Sequence, residues 1–189
     1  MKAIALATAA LLFATPALAA TTEYSFGNDS TITYYVTHPL HHVEGVTHTL
    51  AGKISVEDGR LVGPATLSLP FVSFNSGNGN RDNTADYLID IAHFPLVTLT
   101  IDKFDAASTD KAGDGLRETG TAVGTLSIHG VRQPVTVPLT VTTSAINLVA
   151  DGDLTVSLTQ FHISRPSLLF MPISDTVKVH VHAIAKRAS

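Results

Sequence analysis

The chain has nine histidines among its 189 residues, and no cysteine or tryptophan. His38, His41 and His42 fall in the run His38-Pro39-Leu40-His41-His42, with Glu44 and His48 close behind. His180 and His182 are two residues apart, so on a strand they share one face. Neutral imidazole is a good ligand for zinc, copper or nickel, and three or four such nitrogens complete a site. A metal or haem site drawn from His38, His41, His42, His48, His180 and His182 is therefore the alternative reading carried by residue type. The spacing matches no defined metal motif, however, and Pro39 places a turn within the cluster. The expectation is polar surface histidines, with His38 satisfied at a strand end and no metal or cofactor bound.

Other chemistry is absent from the pattern. There is no Gly-x-Ser-x-Gly elbow and no His-Glu-x-x-His. Gly77-Asn78-Gly79 reads as a turn rather than a phosphate loop, because no strand-to-helix pattern surrounds it. Glu23, Glu44, Asp82, Asp86 and Asp90 supply carboxylates, but nothing in the sequence pairs them for acid–base work. No catalytic residue is assigned, and the chain is not expected to be an enzyme.

The elements that carry these residues are short alternating runs. Ile32, Tyr34 and Val36 share a face, as do Val97, Leu99 and Ile101, with threonines between them. Val135, Val137, Leu139 and Val141 alternate across Pro138. The pattern recurs in Leu154, Val156 and Leu158, and again in Val177, Val179, Val181 and Ala183. Period-two alternation rich in β-branched residues marks half-buried strands. Gly- and Asp-rich turns separate the runs, as in Glu57-Asp58-Gly59 and Ala150-Asp151-Gly152-Asp153. One helix is expected near residues 82–92, capped by Asp82-Asn83-Thr84 and ended by Pro95. About eight antiparallel strands in one domain must close or stack to remove their edges, which implies a barrel or a sandwich.

The formal net charge of −4, with no basic run, argues against nucleic acid or an anionic membrane as a partner. Lys2, the apolar stretch Ala3–Ala14, Pro16 and Ala17-Leu18-Ala19 form the pattern of a secretory leader cut after Ala19. That stretch is too short to remain as an anchor, which needs roughly 20 residues. Without a cysteine there is no lipoprotein attachment. The expectation is a leader over 1–19 and one domain over 20–189, in the periplasm or outside the cell, with no stable membrane anchor.

Several blocks carry a resemblance. Gly124-Thr125-Leu126-Ser127-Ile128-His129-Gly130-Val131-Arg132-Gln133-Pro134-Val135 resembles the most characteristic hairpin of the YceI-like family of exported polyisoprenoid-binding proteins. Asn80-Arg81-Asp82, a short helix and His93-Phe94-Pro95-Leu96-Val97-Thr98-Leu99 are similar to a second block. Ile32-x-Tyr34-x-Val36-x-His38, followed by Gly45 and Gly52, is a third. Phe161-His162-Ile163-Ser164-Arg165-Pro166-Ser167-Leu168-Leu169, ending in Asp175-Thr176-Val177, is a fourth. The resemblance implies a lipocalin-like extended antiparallel barrel and a bound polyisoprenoid, isoprenoid quinone or fatty chain. It also implies a role in transport, storage or sequestration without catalysis.

A closed barrel of about eight strands has room for one slender ligand. The candidate pocket residues are Tyr34, Val36, Phe71, Phe74, Arg81, Phe94, Phe161, Leu168, Leu169 and Phe170. The run Leu168-Leu169-Phe170-Met171-Pro172 is unusually apolar and reads as a pocket mouth or a docking patch. The expected partners are an apolar long-chain small molecule and, at most, a second copy of the chain.

Overall fold

The structure, a computed structural model, describes residues 21–168 and 170–188, without the side chains of His41 and Leu168. The expected leader over 1–19 lies outside the described residues.

The strands are β1 (Thr21–Phe26), β2 (Thr31–His38), β3 (His41–Thr47), β4 (Ala51–Glu57) and β5 (Arg60–Pro70). A 3₁₀ turn (Phe71–Ser73) leads into helix α1 (Gly79–Ile89). Then come β6 (Leu96–Ala112), β7 (Gly115–Ile128), β8 (Val131–Thr143) and β9 (Asn147–Ser157). A second 3₁₀ turn (Thr159–Phe161) precedes the short pair β10 (Ser167–Leu168) and β11 (Met171–Pro172), and β12 (Thr176–Arg187) ends the fold. Every strand pairing is antiparallel.

The main sheet runs β1-β4-β5-β6-β7-β8-β9-β12 and closes when β12 pairs back onto β1. That closure makes an eight-stranded barrel, as the alternation predicts. The β2–β3 hairpin lengthens one side of the wall, because β2 takes over the edge of β12 where β1 leaves it: Phe26 faces Ala185, and Thr31 faces His182. Between the two registers, Ile184 has no strand partner on that edge. Ser30, fully buried, supplies one with its hydroxyl, which accepts from the Ile184 N–H at 3.0 Å and donates to the Ile184 carbonyl at 3.4 Å. A backbone pair that would otherwise be orphaned in the wall is thereby satisfied.

The inward faces are the predicted apolar ones, but they are not uniformly packed. At one end Tyr24, Val56, Val141, Leu148 and Ala185 fill the barrel. At the other, Ile89, Leu126, Ile128, Phe161 and Ile163 form a second cluster under α1. Along β12, Val177 and Ala183 are buried, whereas Val179 and Val181 between them are only half-buried. Residues that face inward yet stay accessible mark a hollow.

The helix departs from expectation at both ends. It starts at Gly79, because the Asn78 side chain accepts the N–H groups of Asn80 and Arg81. It stops at Ile89, where Asp90 turns left-handed at φ 55°. Asp82, expected to cap the helix, instead accepts the backbone N–H and hydroxyl of Ser76.

Candidate functional site: an apolar cavity inside the barrel

Between the two clusters lies a cavity of about 580 Å³. That lies within the usual range for small-molecule sites, roughly 300–1,000 Å³. Its wall is built from inward-facing aliphatic strand residues such as Ile32, Leu67, Leu99, Leu126, Leu154 and Val181. Helix α1 covers it with Ala85, Leu88 and Ile89. The lining also includes Thr84, Ser164 and Ser167, all exposed, so the cavity meets solvent near α1 and the 164–173 segment.

The polar wall groups are few. Tyr34 projects from β2 into an aromatic group, with its ring 5.1 Å from that of Phe74 and Phe71 5.5 Å beyond Phe74. The ring has room because Gly45 stands opposite it on β3; a Cβ there would lie 2.4 Å from Tyr34 Cε1. Burial pushes the Tyr34 phenol above its ordinary pKa, helped by the nearby Asp82 carboxylate and opposed by Arg81. The hydroxyl therefore stays protonated and can donate a hydrogen bond. Asp86 is also raised, first by burial and then by Asp82.

Arg81 is the only charged residue in the described wall. Its Nε donates to Ser76 Oγ at 3.0 Å and its Nη2 to the Ser76 carbonyl at 2.9 Å. The Arg81-Asp82 dipeptide thus clamps Ser76 from two sides and holds the loop before the helix.

Of the candidate residues, Tyr34, Val36, Phe71, Phe74 and Arg81 line the cavity. Phe161 does not: it is fully buried behind the wall in the cluster under α1. Phe94 lies outside, edge-on to His129 at 5.6 Å and against Gly130, where a Cβ would meet its ring. Phe170 stands fully exposed in the β10–β11 turn. Leu169 and the side chain of Leu168 lie outside the described residues. Aromatic size does not mark the other aliphatic wall residues in the sequence; their signal is the alternation itself, which sets each of them on an inward face.

The histidines are dispersed. His38, buried at the end of β2, lines the cavity, but its Nδ1 accepts the Leu40 N–H and its Nε2 donates to the Met171 carbonyl at 3.0 Å. It carries no spare lone pair for a metal. His42 is exposed, and His48 is tied to Ser30 and Thr31. His180 and His182 face outward and pair with Asp153 and Asp151 of β9. Among the described residues, no three metal-binding side chains converge. The side chain of His41 lies outside those described.

The model of the YceI-like domain matches residues 26–185. No curated protein matches the sequence. Among solved structures, a polyisoprenoid binding domain from Saccharophagus degradans, implicated in plant cell wall breakdown, is 20% identical with a TM-score of 0.70, covering 88% of this chain and 98% of its own. BcnA of Burkholderia cenocepacia is 19% identical with a TM-score of 0.67, over 82% and 96% of the two chains. The YceI protein of Campylobacter jejuni is 15% identical with a TM-score of 0.59, over 77% and 85%. At these identities the likeness is one of fold.

Proposed function

This chain belongs to the YceI-like family, and from that premise we propose that it is a non-enzymatic binding protein for one long apolar molecule. The ligand class is a polyisoprenoid, an isoprenoid quinone or a fatty-chain lipid, held inside the barrel for transport, storage or sequestration. The observation that carries this reading is the roughly 580 Å³ hollow walled mainly by apolar side chains. An unsaturated or branched chain needs no directional partner there; each buried CH₂ contributes about 0.8 kcal/mol. At about 30 Å³ per water-sized group, the hollow holds on the order of twenty such groups.

The polar end of the ligand sits at Tyr34 and Arg81. Both are donors, and no carboxylate lines the described wall, so that end carries an acceptor such as a carbonyl, carboxylate or phosphate oxygen. A catalytic role has no support in the wall, where both nitrogens of the one histidine are engaged. The leader pattern at residues 1–19 supports a periplasmic or secreted location, and no described helix is long and apolar enough to cross a membrane.

The test is mild purification from the native host, organic extraction and mass spectrometry. The expected result is a long-chain lipid or isoprenoid at close to one per chain. Protein that emerges empty, and takes up no such chain when offered it, refutes the reading.

A further inference from the structure

The cavity opens beside two hairpin tips, and both carry apolar side chains that stand exposed. Leu40, in the β2–β3 turn, is 57% exposed, and Phe170, in the β10–β11 turn, is fully exposed. The tips belong to one rim. His38 Nε2 donates to the Met171 carbonyl at 3.0 Å, and the Ser174 N–H to the Thr37 carbonyl at 2.7 Å. His38, Val43, Ser167 and Ile173, which flank the two tips, all line the cavity.

The backbone at Phe170 adds a second observation. Among the described residues, five other than glycine have positive φ: Asp58, Asp90, His129, His162 and Phe170. Asp and His are types that visit this region; a bulky apolar residue is out of place there. At φ 66° the sequence keeps a phenyl ring on a tip where Asn or Asp would suit the chain better and water would accept it. Local stability does not explain that choice, because among the described residues the ring is left fully exposed.

We infer that these two tips are a docking rim that inserts into the surface of a lipid bilayer, so that the ligand passes between membrane and cavity without crossing water. This rests on the proposed binding of an apolar chain. Such a ligand resides in a bilayer rather than in solution, and apolar tips flanking the rim of an apolar cavity would set that rim at the bilayer. The net charge of −4 offers no attraction to an anionic surface. The partner is therefore the apolar region of a bilayer, and insertion is largely insensitive to salt. Ile146, 68% exposed in the β8–β9 turn near the packed end of the barrel, is an internal control.

The protein has no tryptophan, so F170W, L40W and I146W each provide a single fluorescent reporter. On titration with phosphatidylcholine vesicles, emission from F170W and L40W shifts to shorter wavelength and that from I146W does not. No shift at the tips, or an equal shift at all three positions, overturns the inference. A shift at the tips that follows protein concentration without vesicles points to a second copy of the chain and overturns it as well. Transfer of dansyl-labelled farnesol from vesicles should slow at least tenfold in the F170D/L40D double variant. Its equilibrium affinity for the same probe in solution should stay at the wild-type value. Wild-type transfer by that variant refutes the docking rim, whereas a wild-type protein that fails to bind the probe refutes the binding function instead.

Discussion

Leu99→Trp tests the cavity by size. Leu99 sits near the start of β6, between Leu67 of β5 and Leu126 of β7, and lines the hollow. The indole side chain is larger than that of leucine by about 60 Å³, the space of about two chain CH₂ groups at about 30 Å³ each. It takes up about a tenth of the 580 Å³ available. A ligand that fills the wild-type cavity must then withdraw about two carbons, at about 0.8 kcal/mol each. The loss is about 1.6 kcal/mol, or roughly tenfold in Kd. A loss of that size is expected for chains longer than about fifteen carbons. Chains short enough to share the hollow with the indole should bind nearly as before. The assay is competitive displacement of a fluorescent fatty chain across a series of chain lengths. Urea denaturation of the ligand-free protein should show no loss of stability, because the ring enters empty space rather than packed core. Equal weakening at every chain length, or none at any, refutes the reasoning.

Gly45→Ala places a methyl group where the Tyr34 ring lies and should cost about 1–3 kcal/mol in urea denaturation. In a Tyr34→Ala background the same change should cost little, as a double-mutant cycle would reveal. Glu118 is buried; its Oε1 accepts the Thr109 hydroxyl at 3.3 Å and lies 3.8 Å from the exposed Arg60, while its Oε2 has no partner among the described residues. Glu118→Leu should therefore raise stability by about 1–2 kcal/mol, read from the denaturation midpoint; a fall of that size refutes the argument. The hydroxyls of Ser157 and Thr159 and the Thr159 N–H hold the Asp175 carboxyl at about 2. Its folded pKa is below its unfolded value near 4, so its stabilising contribution is complete above about pH 4. That contribution disappears as pH falls toward 2. The stability gap between wild type and Asp175→Asn should narrow over that window, and carboxyl chemical shifts should place the titration of Asp175 at its lower end.

The barrel was legible because its signal is local. Period-two alternation of β-branched residues places each side chain on one face wherever the strand ends up, and eight such strands leave few ways to remove their edges. The helix was legible in kind and displaced in position. Asn78 and Asp82 are both suitable caps, and the contest was decided by Ser76, which the fold brings back onto Asp82.

The candidate site was legible only in part. Tyr34, Val36, Phe71, Phe74 and Arg81 line the hollow, whereas Phe94, Phe161 and Phe170 do not. Apolar character alone cannot say whether a ring packs behind a wall, lies outside the barrel or crowns a tip. That depends on where turns place the chain. The histidines illustrate the same point: the fold sorts His38 into a buried bridge, His180 and His182 into surface pairs with Asp153 and Asp151, His48 into contacts with Ser30 and Thr31, and His42 onto the exposed surface. By itself, the sequence determined strand content, the inward and outward faces, and the absence of any compact catalytic motif. Only the tertiary structure decided that the interior is hollow, because a void arises from the separation between opposite walls. No residue encodes that distance; strand number and the closure of β12 onto β1 set it together.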